Sequence, residues 1–177
     1  PNFVDTEFIQ PADRMTGLRT ELGIGTEPVV LYAGNVGFSQ SLEMVVDAAR
    51  DVPQATFLIN GDGAARASLE QRAAGLPNVR FSGYQPRLRV PEVLATGDVH
   101  LVPLKQGLGR VSVPSKTYSI LAAGRPVLAA IDPDLHAALF GPRNLPFSFT
   151  LVFPDVEGDT AADVQAKAAA AAAAAPT

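Results

Sequence analysis

Ser115 and Lys116 stand where the chain begins a helix, and that is an unusual place for a cation. Pro114 keeps the helix from starting earlier, and Ser115 can act as its N-cap. Tyrosine, leucine and alanine fill the turns, Gly124 suits the left-handed residue that ends a helix, and Pro126 stops any continuation. The positive end of the helix dipole repels an ammonium group. An anion would resolve the conflict, because free backbone N–H groups, the Ser115 hydroxyl and the Lys116 ammonium could converge on one phosphate. The alternative is that Lys116 is a solvated first-turn residue with no ligand.

Other chemistry-bearing residues recur at a fixed point of a repeating pattern. Gly34-Asn35-Val36-Gly37 follows the apolar run Pro28–Ala33, Asn60-Gly61-Asp62-Gly63 follows Ala55–Asn60, Gly83-Tyr84-Gln85 follows Val79–Ser82, and Lys105 follows Val99–Leu104. Glycines let a backbone approach a phosphate closely. Tyr84 could stack on a base, and Lys116, with Lys105 or Arg66, could neutralise a diphosphate. Tight turns need glycine in any case, so no single loop is decisive.

The elements that must position these loops are legible. A short helix capped by Asp13 is expected over 14–22. Unbroken apolar runs such as Val29-Val30-Leu31-Tyr32-Ala33 read as strands buried on both faces. Between them, stripes such as Leu42, Val45, Val46 and Ala49, capped by Ser39 or Ser41, read as amphipathic helices. Further helices are expected over 64–74 and 91–96, and Val127–Ile131 closes the series as a fifth strand. Strands alternating with helices of this length predict right-handed βαβ units and a doubly wound, mostly parallel α/β sheet. In such sheets ligands bind beyond the carboxyl ends of the strands, where the connection direction switches. The glycine turns and the serine-lysine turn would share that rim.

Composition narrows the function. The 177 residues are 47% hydrophobic and 18% charged, with a formal net charge of −4. That charge argues against a nucleic-acid binder working through a broad basic surface. Without cysteine there is no disulfide framework and no thiolate metal or redox site. No apolar run reaches the roughly 18 residues of a membrane span, and no signal peptide opens the chain. Neither glycine turn completes the G-x-G-x-x-G dinucleotide fingerprint, and no G-x-S-x-G elbow is present. His100 reads as a core histidine, and no paired-carboxylate or metal-ligand constellation is evident.

Gly61-Asp62-Gly63 with Arg66, Asn78-Val79-Arg80-Phe81-Ser82-Gly83, Leu94-Ala95-Thr96-Gly97-Asp98-Val99 and Val102-Pro103-Leu104, in this order and spacing, resemble the carboxy-terminal half of a GT-B fold glycosyltransferase. The resemblance is to the retaining group 1 (GT4-type) enzymes that use nucleotide sugars, and it runs from about Pro1 to about Pro133. Val113-Pro114-Ser115-Lys116 followed by Leu121-Ala122-Ala123-Gly124-Arg125-Pro126-Val127 looks like the branch that builds cell-surface polysaccharides, colanic-acid-type transferases included. The resemblance implies a Rossmann-like domain, one half of a GT-B fold, that binds the donor.

Carried over, Gly34 and the loop through Gly37 would approach the donor diphosphate. The family's basic pair in that loop aligns with Asn35 and Gln40, so the charge would fall to Lys116 and Arg66, the two catalytic candidates. Gly61 and Gly63 would border the same site, Gly83 and Tyr84 would lie against the nucleobase, and Pro114, Ser115, Thr117 and Ser119 would complete the donor pocket. A spaced pair of glutamates, frequent in the family near sugar and ribose, falls on Val111 and Ser119, so both carboxylates are replaced. No metal or other cofactor is expected.

The expected organisation is an interdomain linker remnant over 1–12, the nucleotide-sugar domain over 13–155 and an alanine-rich tail over 156–177. A short helix over 135–140 and a strand over 147–153 are expected before that tail, which can be helical or frayed. The expected partners are a nucleotide-sugar donor and an amino-terminal acceptor-binding domain. Nucleic acid is excluded, and any membrane contact would come through the other half. The place expected is the cytoplasm, with the inner face of the membrane as a peripheral station. Two functions stay open. One is the donor-binding half of a sugar transferase, inactive alone. The other is a nucleotide-binding or regulatory α/β module that has lost turnover.

Overall fold

The computed structural model describes residues 4–103 and 116–130. Five parallel strands form one sheet in the order β3-β2-β1-β4-β5. They are β1 (Val29–Ala33), β2 (Thr56–Asn60), β3 (Val79–Ser82), β4 (Val99–Pro103) and β5 (Val127–Ala130). The helix α1 (Gly17–Glu21) precedes β1, and the helices between strands are α2 (Leu42–Asp51), α3 (Arg66–Arg72), α4 (Val90–Thr96) and α5 (Lys116–Ala122). This is the expected doubly wound α/β architecture. The chain builds outward from β1 to β3, then returns to lay β4 on the other side of β1, so the switch point lies between β1 and β4.

The apolar runs are buried on both faces, as continuous strands of a covered parallel sheet must be. On one face Tyr32, Phe57, Ile59 and Leu101 pack with Leu42, Val46 and Leu69 from α2 and α3. On the other, Val102 and Val127 pack with Leu94 and Ile120 from α4 and α5, and Ile9 of the opening segment joins them. Leu31 and Leu58 meet Leu18 of α1 and Val93 of α4 in a third cluster.

Three expectations at helix starts are corrected. The first helix begins at Gly17, and Thr16 caps it by accepting from the Arg19 amide at 3.3 Å, while Asp13 accepts from the Met15 amide upstream. Ser41 occupies the cap position of α2 at φ 46°, a left-handed conformation, and its hydroxyl makes no capping bond. Ser39 falls inside a short 3-10 turn, Phe38–Gln40. The helix over 64–74 contracts to Arg66–Arg72. Gly124, at φ +68°, ends α5 as expected. The cap at Ser115 and the elements expected after residue 130 lie outside the described residues.

Candidate functional site

At the carboxyl rim of the sheet, the turns after β1 and β2 are ones that only glycine permits. Gly34 and Gly61 end β1 and β2 at φ +146° and +139°. The Gly34 amide donates to Asn60 O and the Gly61 amide to Ser82 O, each at 2.9 Å, so neighbouring strand ends are tied together at the rim. A side chain on Gly61 would stand 1.9 Å from Gly34 O, and one on Gly63 would meet Val36 O. The two turns therefore nest backbone against backbone.

Lys116 enters this rim from the opposite face. It begins α5, yet its side chain reaches over the end of β1. A Cβ placed on Gly34 would lie 2.7 Å from Nζ, so the ammonium fills the notch left by the missing side chain. Nζ stands 4.0 Å from the centroid of the Tyr32 ring. Among the described residues no carboxylate pairs with it. Burial without a counter-charge pulls its pKa down from 10.5 to about 8.

Lys116 forms one wall of a cavity of about 220 Å³ at the switch point. Gly34, Asn60, Tyr84, Gln85 and Ser119 share its polar rim, and Val90, Val93, Leu94 and Ile120 make an apolar floor. Asn60 is held by bonds from Nδ2 to Ser82 Oγ (2.6 Å) and Gly83 O (2.9 Å). Tyr84 is 62% exposed and its hydroxyl donates to Asp62 O at 3.1 Å, which presents the ring at the cavity mouth.

The expected site residues divide accordingly. Lys116, Gly34, Tyr84 and Ser119 are brought together at the cavity. Gly61, Gly63 and Gly83 shape the neighbouring turns. Asn35, Gly37 and Gln40 lie along the β1 loop beyond the cavity wall, and Gln40 Oε1 accepts from the Gly37 amide at 3.1 Å. Thr117 is buried. Arg66 donates from Nη1 to Gly61 O (2.6 Å) and Ser82 O (3.0 Å), pairs with Glu70 at 2.7 Å, and stacks over Phe81. Its guanidinium thus braces the ends of β2 and β3. Lys105, Pro114 and Ser115 lie outside the described residues.

Tyr32 and the apolar floor from α4 were not singled out by sequence, whereas Asn60 was placed on the rim with its glycine turn. The signal for Tyr32 was a lone aromatic in an otherwise aliphatic strand, two residues before the glycine. His100 is buried, with a ring nitrogen 2.9 Å from Leu94 O, and burial lowers its pKa to about 4, in keeping with a core residue. Among the described residues no group of three or more histidine, cysteine or carboxylate side chains could hold a metal, and no helix is long and apolar enough to cross a membrane.

Similarity to known proteins falls on this domain. The family model for group 1 glycosyl transferases matches residues 27–138. The putative colanic acid biosynthesis glycosyl transferase WcaI of Escherichia coli is 41% identical over 124 residues, which are 67% of this chain and 30% of that protein. The structure of Anabaena HepE in complex with UDP-glucose superposes with a TM-score of 0.58 at 25% identity, over 73% of this chain and 37% of that one. The carboxy-terminal domain of a Francisella tularensis group 1 glycosyl transferase, LpcC, superposes with a TM-score of 0.65 at 19% identity, over 95% of this chain and 87% of that one, a likeness of fold. The chain thus spans about a third of the length of the first two.

Proposed function

The chain belongs to the group 1 glycosyl transferases, and from that premise we propose that its rim cavity binds the donor, a nucleotide diphosphate sugar, with Lys116 facing the diphosphate. The observation that carries this reading is the Lys116 ammonium seated in the notch of Gly34, a cation without a carboxylate partner among the described residues. The family supports a sugar donor. The UDP-glucose complex of HepE supports a uridine diphosphate as the first donor to try.

Transfer requires that the leaving diphosphate be stabilised as the anomeric bond breaks. A fixed ammonium and pre-aimed N–H groups provide that stabilisation without reorganising water. On this reading no metal is called on, because Lys116 supplies the charge. The apolar floor of Val93, Leu94 and Ile120 and the Tyr84 ring suit the flat faces of a base or sugar. Arg66 acts indirectly, by fixing the carbonyls of Gly61 and Ser82 that shape the second turn.

In this reading the domain is the donor-binding part of an enzyme that transfers sugar, with retention, to a glycan or lipid-linked acceptor. The name of WcaI, a putative colanic acid biosynthesis glycosyl transferase, supports a part in polysaccharide biosynthesis. Acceptor binding and the rest of the catalytic apparatus belong to a second domain, in whose absence transfer is slow or nil. A second reading, a binding module without turnover, is favoured by one observation: no carboxylate lines the cavity among the described residues, and Ser119 stands there instead.

Calorimetric titration of the chain with UDP, GDP, ADP and UDP-glucose tests the donor site. Binding of at least one is expected, and Lys116→Ala should weaken it by about 1.5–3 kcal/mol, the worth of a charged hydrogen bond. A folded chain that engages no nucleoside diphosphate overturns the proposal. Robust sugar transfer by this chain alone would overturn the two-domain division while leaving the donor site standing.

A further inference from the structure

Tyr32 makes two contacts at the rim that a core tyrosine does not require. Its residue is fully buried, packed with Val36, Leu42 and Val46 beneath the loop that follows β1. Its hydroxyl donates to the carbonyl of Asn35 at 2.5 Å, inside that loop. Its ring meets the Lys116 ammonium at 4.0 Å, and its hydroxyl would lie 3.6 Å from a Cβ on Gly34. Phenol, ring face and ammonium thus border the same glycine notch. Burial pushes the phenol well above its ordinary pKa, so it stays protonated and remains a donor.

A ring face attracts a cation through its quadrupole, most effectively where water is displaced. Lys116 is a flexible side chain whose ordering would otherwise fall at the moment of binding. Resting on Tyr32, it is ordered before a ligand arrives. We infer that Tyr32 is a positioning residue for the donor site: its ring holds the Lys116 ammonium in the Gly34 notch, and its hydroxyl pins the Gly34–Gly37 loop beside it. The contacts stand by themselves; their use rests on the rim cavity being the diphosphate site.

The test separates the ring from the hydroxyl and both from plain core filling. In the unsubstituted chain, the Lys116 Hε resonances should be shifted upfield by the ring current. Tyr32→Phe should keep that shift and Tyr32→Leu should abolish it. In pyrophosphate titrations, Tyr32→Leu should weaken binding on the order of tenfold in the Lys116 chain and less than twofold in a Lys116→Ala background. Tyr32→Phe should speed amide exchange at Val36 and Gly37 and weaken binding by less than about twofold, equally in both backgrounds.

A Tyr32→Leu loss that persists undiminished without Lys116 would overturn the inference, since the ring would then be core filling. So would equal losses for Tyr32→Phe and Tyr32→Leu. If Tyr32→Leu melts below the working temperature, the ring-current shift in the unsubstituted chain still decides, because its absence refutes the contact. If the unsubstituted chain binds neither pyrophosphate nor UDP, the donor reading falls, while the resonance of Lys116 still judges the Tyr32 contact.

Discussion

Lys116 carries a titration that a bound anion must disturb. Desolvation holds its pKa near 8 in the free domain. A diphosphate beside the ammonium favours the charged form and raises that pKa, so at pH 8.5 binding takes up a proton. For UDP-glucose, whose diphosphate has no terminal phosphate to titrate, affinity should be flat just below about pH 7.5 and fall as pH rises through 8, by up to tenfold per unit, until the complex itself titrates. Calorimetry in two buffers of different ionisation enthalpy reads the proton directly. An affinity unchanged between pH 7.5 and 9.5, with no uptake, would remove Lys116 from the site. For folding, the sign follows from a native pKa lying below the unfolded 10.5. The unfolded chain binds more protons between about pH 8 and 10.5, so this residue's contribution to stability rises with pH across that window.

Sequence showed that Lys116 would stand on the rim, because a helix after a parallel strand must begin there. It could not show that the side chain crosses the end of β1, since that depends on Gly34 being empty and on a tyrosine ring beneath it. Arg66 illustrates the converse. Its position after a glycine turn suggested a cation near the phosphate end of the site, and the structure shows Nη1 on two carbonyls and Nε on Glu70. Hydrogen bonds to backbone oxygens leave no signature in residue types.

At the scale of elements, the nesting of the first two turns makes a sharp prediction. A methyl group on Gly61 would meet a backbone oxygen that cannot rotate away, at a φ that L-residues avoid. Gly61→Ala should cost about 2 kcal/mol or more and weaken nucleotide binding by spreading β1 and β2 at the rim. Gly83→Ala is the comparison, because nothing lies within 4 Å of its Cβ position; its stability change should stay within about 0.5 kcal/mol. Chemical denaturation of both variants checks the pair, and equal losses would mean that the nesting is unimportant. The strands were legible to within a residue, since buried parallel strands are unbroken apolar runs. Helix starts were less so. Thr16 and not Asp13 caps α1, and Ser41 takes a left-handed turn, because caps depend on where the chain arrives from as much as on which hydroxyl is available.

At the scale of the whole molecule, the described sheet is braced at its end remote from the cavity. Arg19, only 1% exposed, donates to Gly25 O, Glu27 O and Thr96 O and pairs with Asp98 at 2.6 Å. Asp98 also accepts from the Val29 amide at 2.7 Å and from Arg14 at 2.9 Å. One carboxylate thereby joins α1, the start of β1 and the start of β4, the two strands that flank the switch point. Nothing in the residue types announced a buried arginine there. Burial alone would raise the Asp98 pKa, but the bonds from the Val29 amide, Arg14 and Arg19 outweigh it and hold the carboxyl below its ordinary value. A depressed native pKa means stability that is present above the unfolded value of 3.8 and lost as pH falls below it. Asp98→Ala removes the partner of a buried guanidinium and should cost about 3 kcal/mol or more at pH 7. At pH 3 the difference from the parent should shrink. Thermal melts of both chains at the two pH values measure this. Because the brace holds the strands from the far end, UDP affinity in the folded Asp98→Ala chain should match the parent within about twofold at low temperature. A larger loss would show that the donor site depends on the spacing of β1 and β4 as well as on the residues that line it.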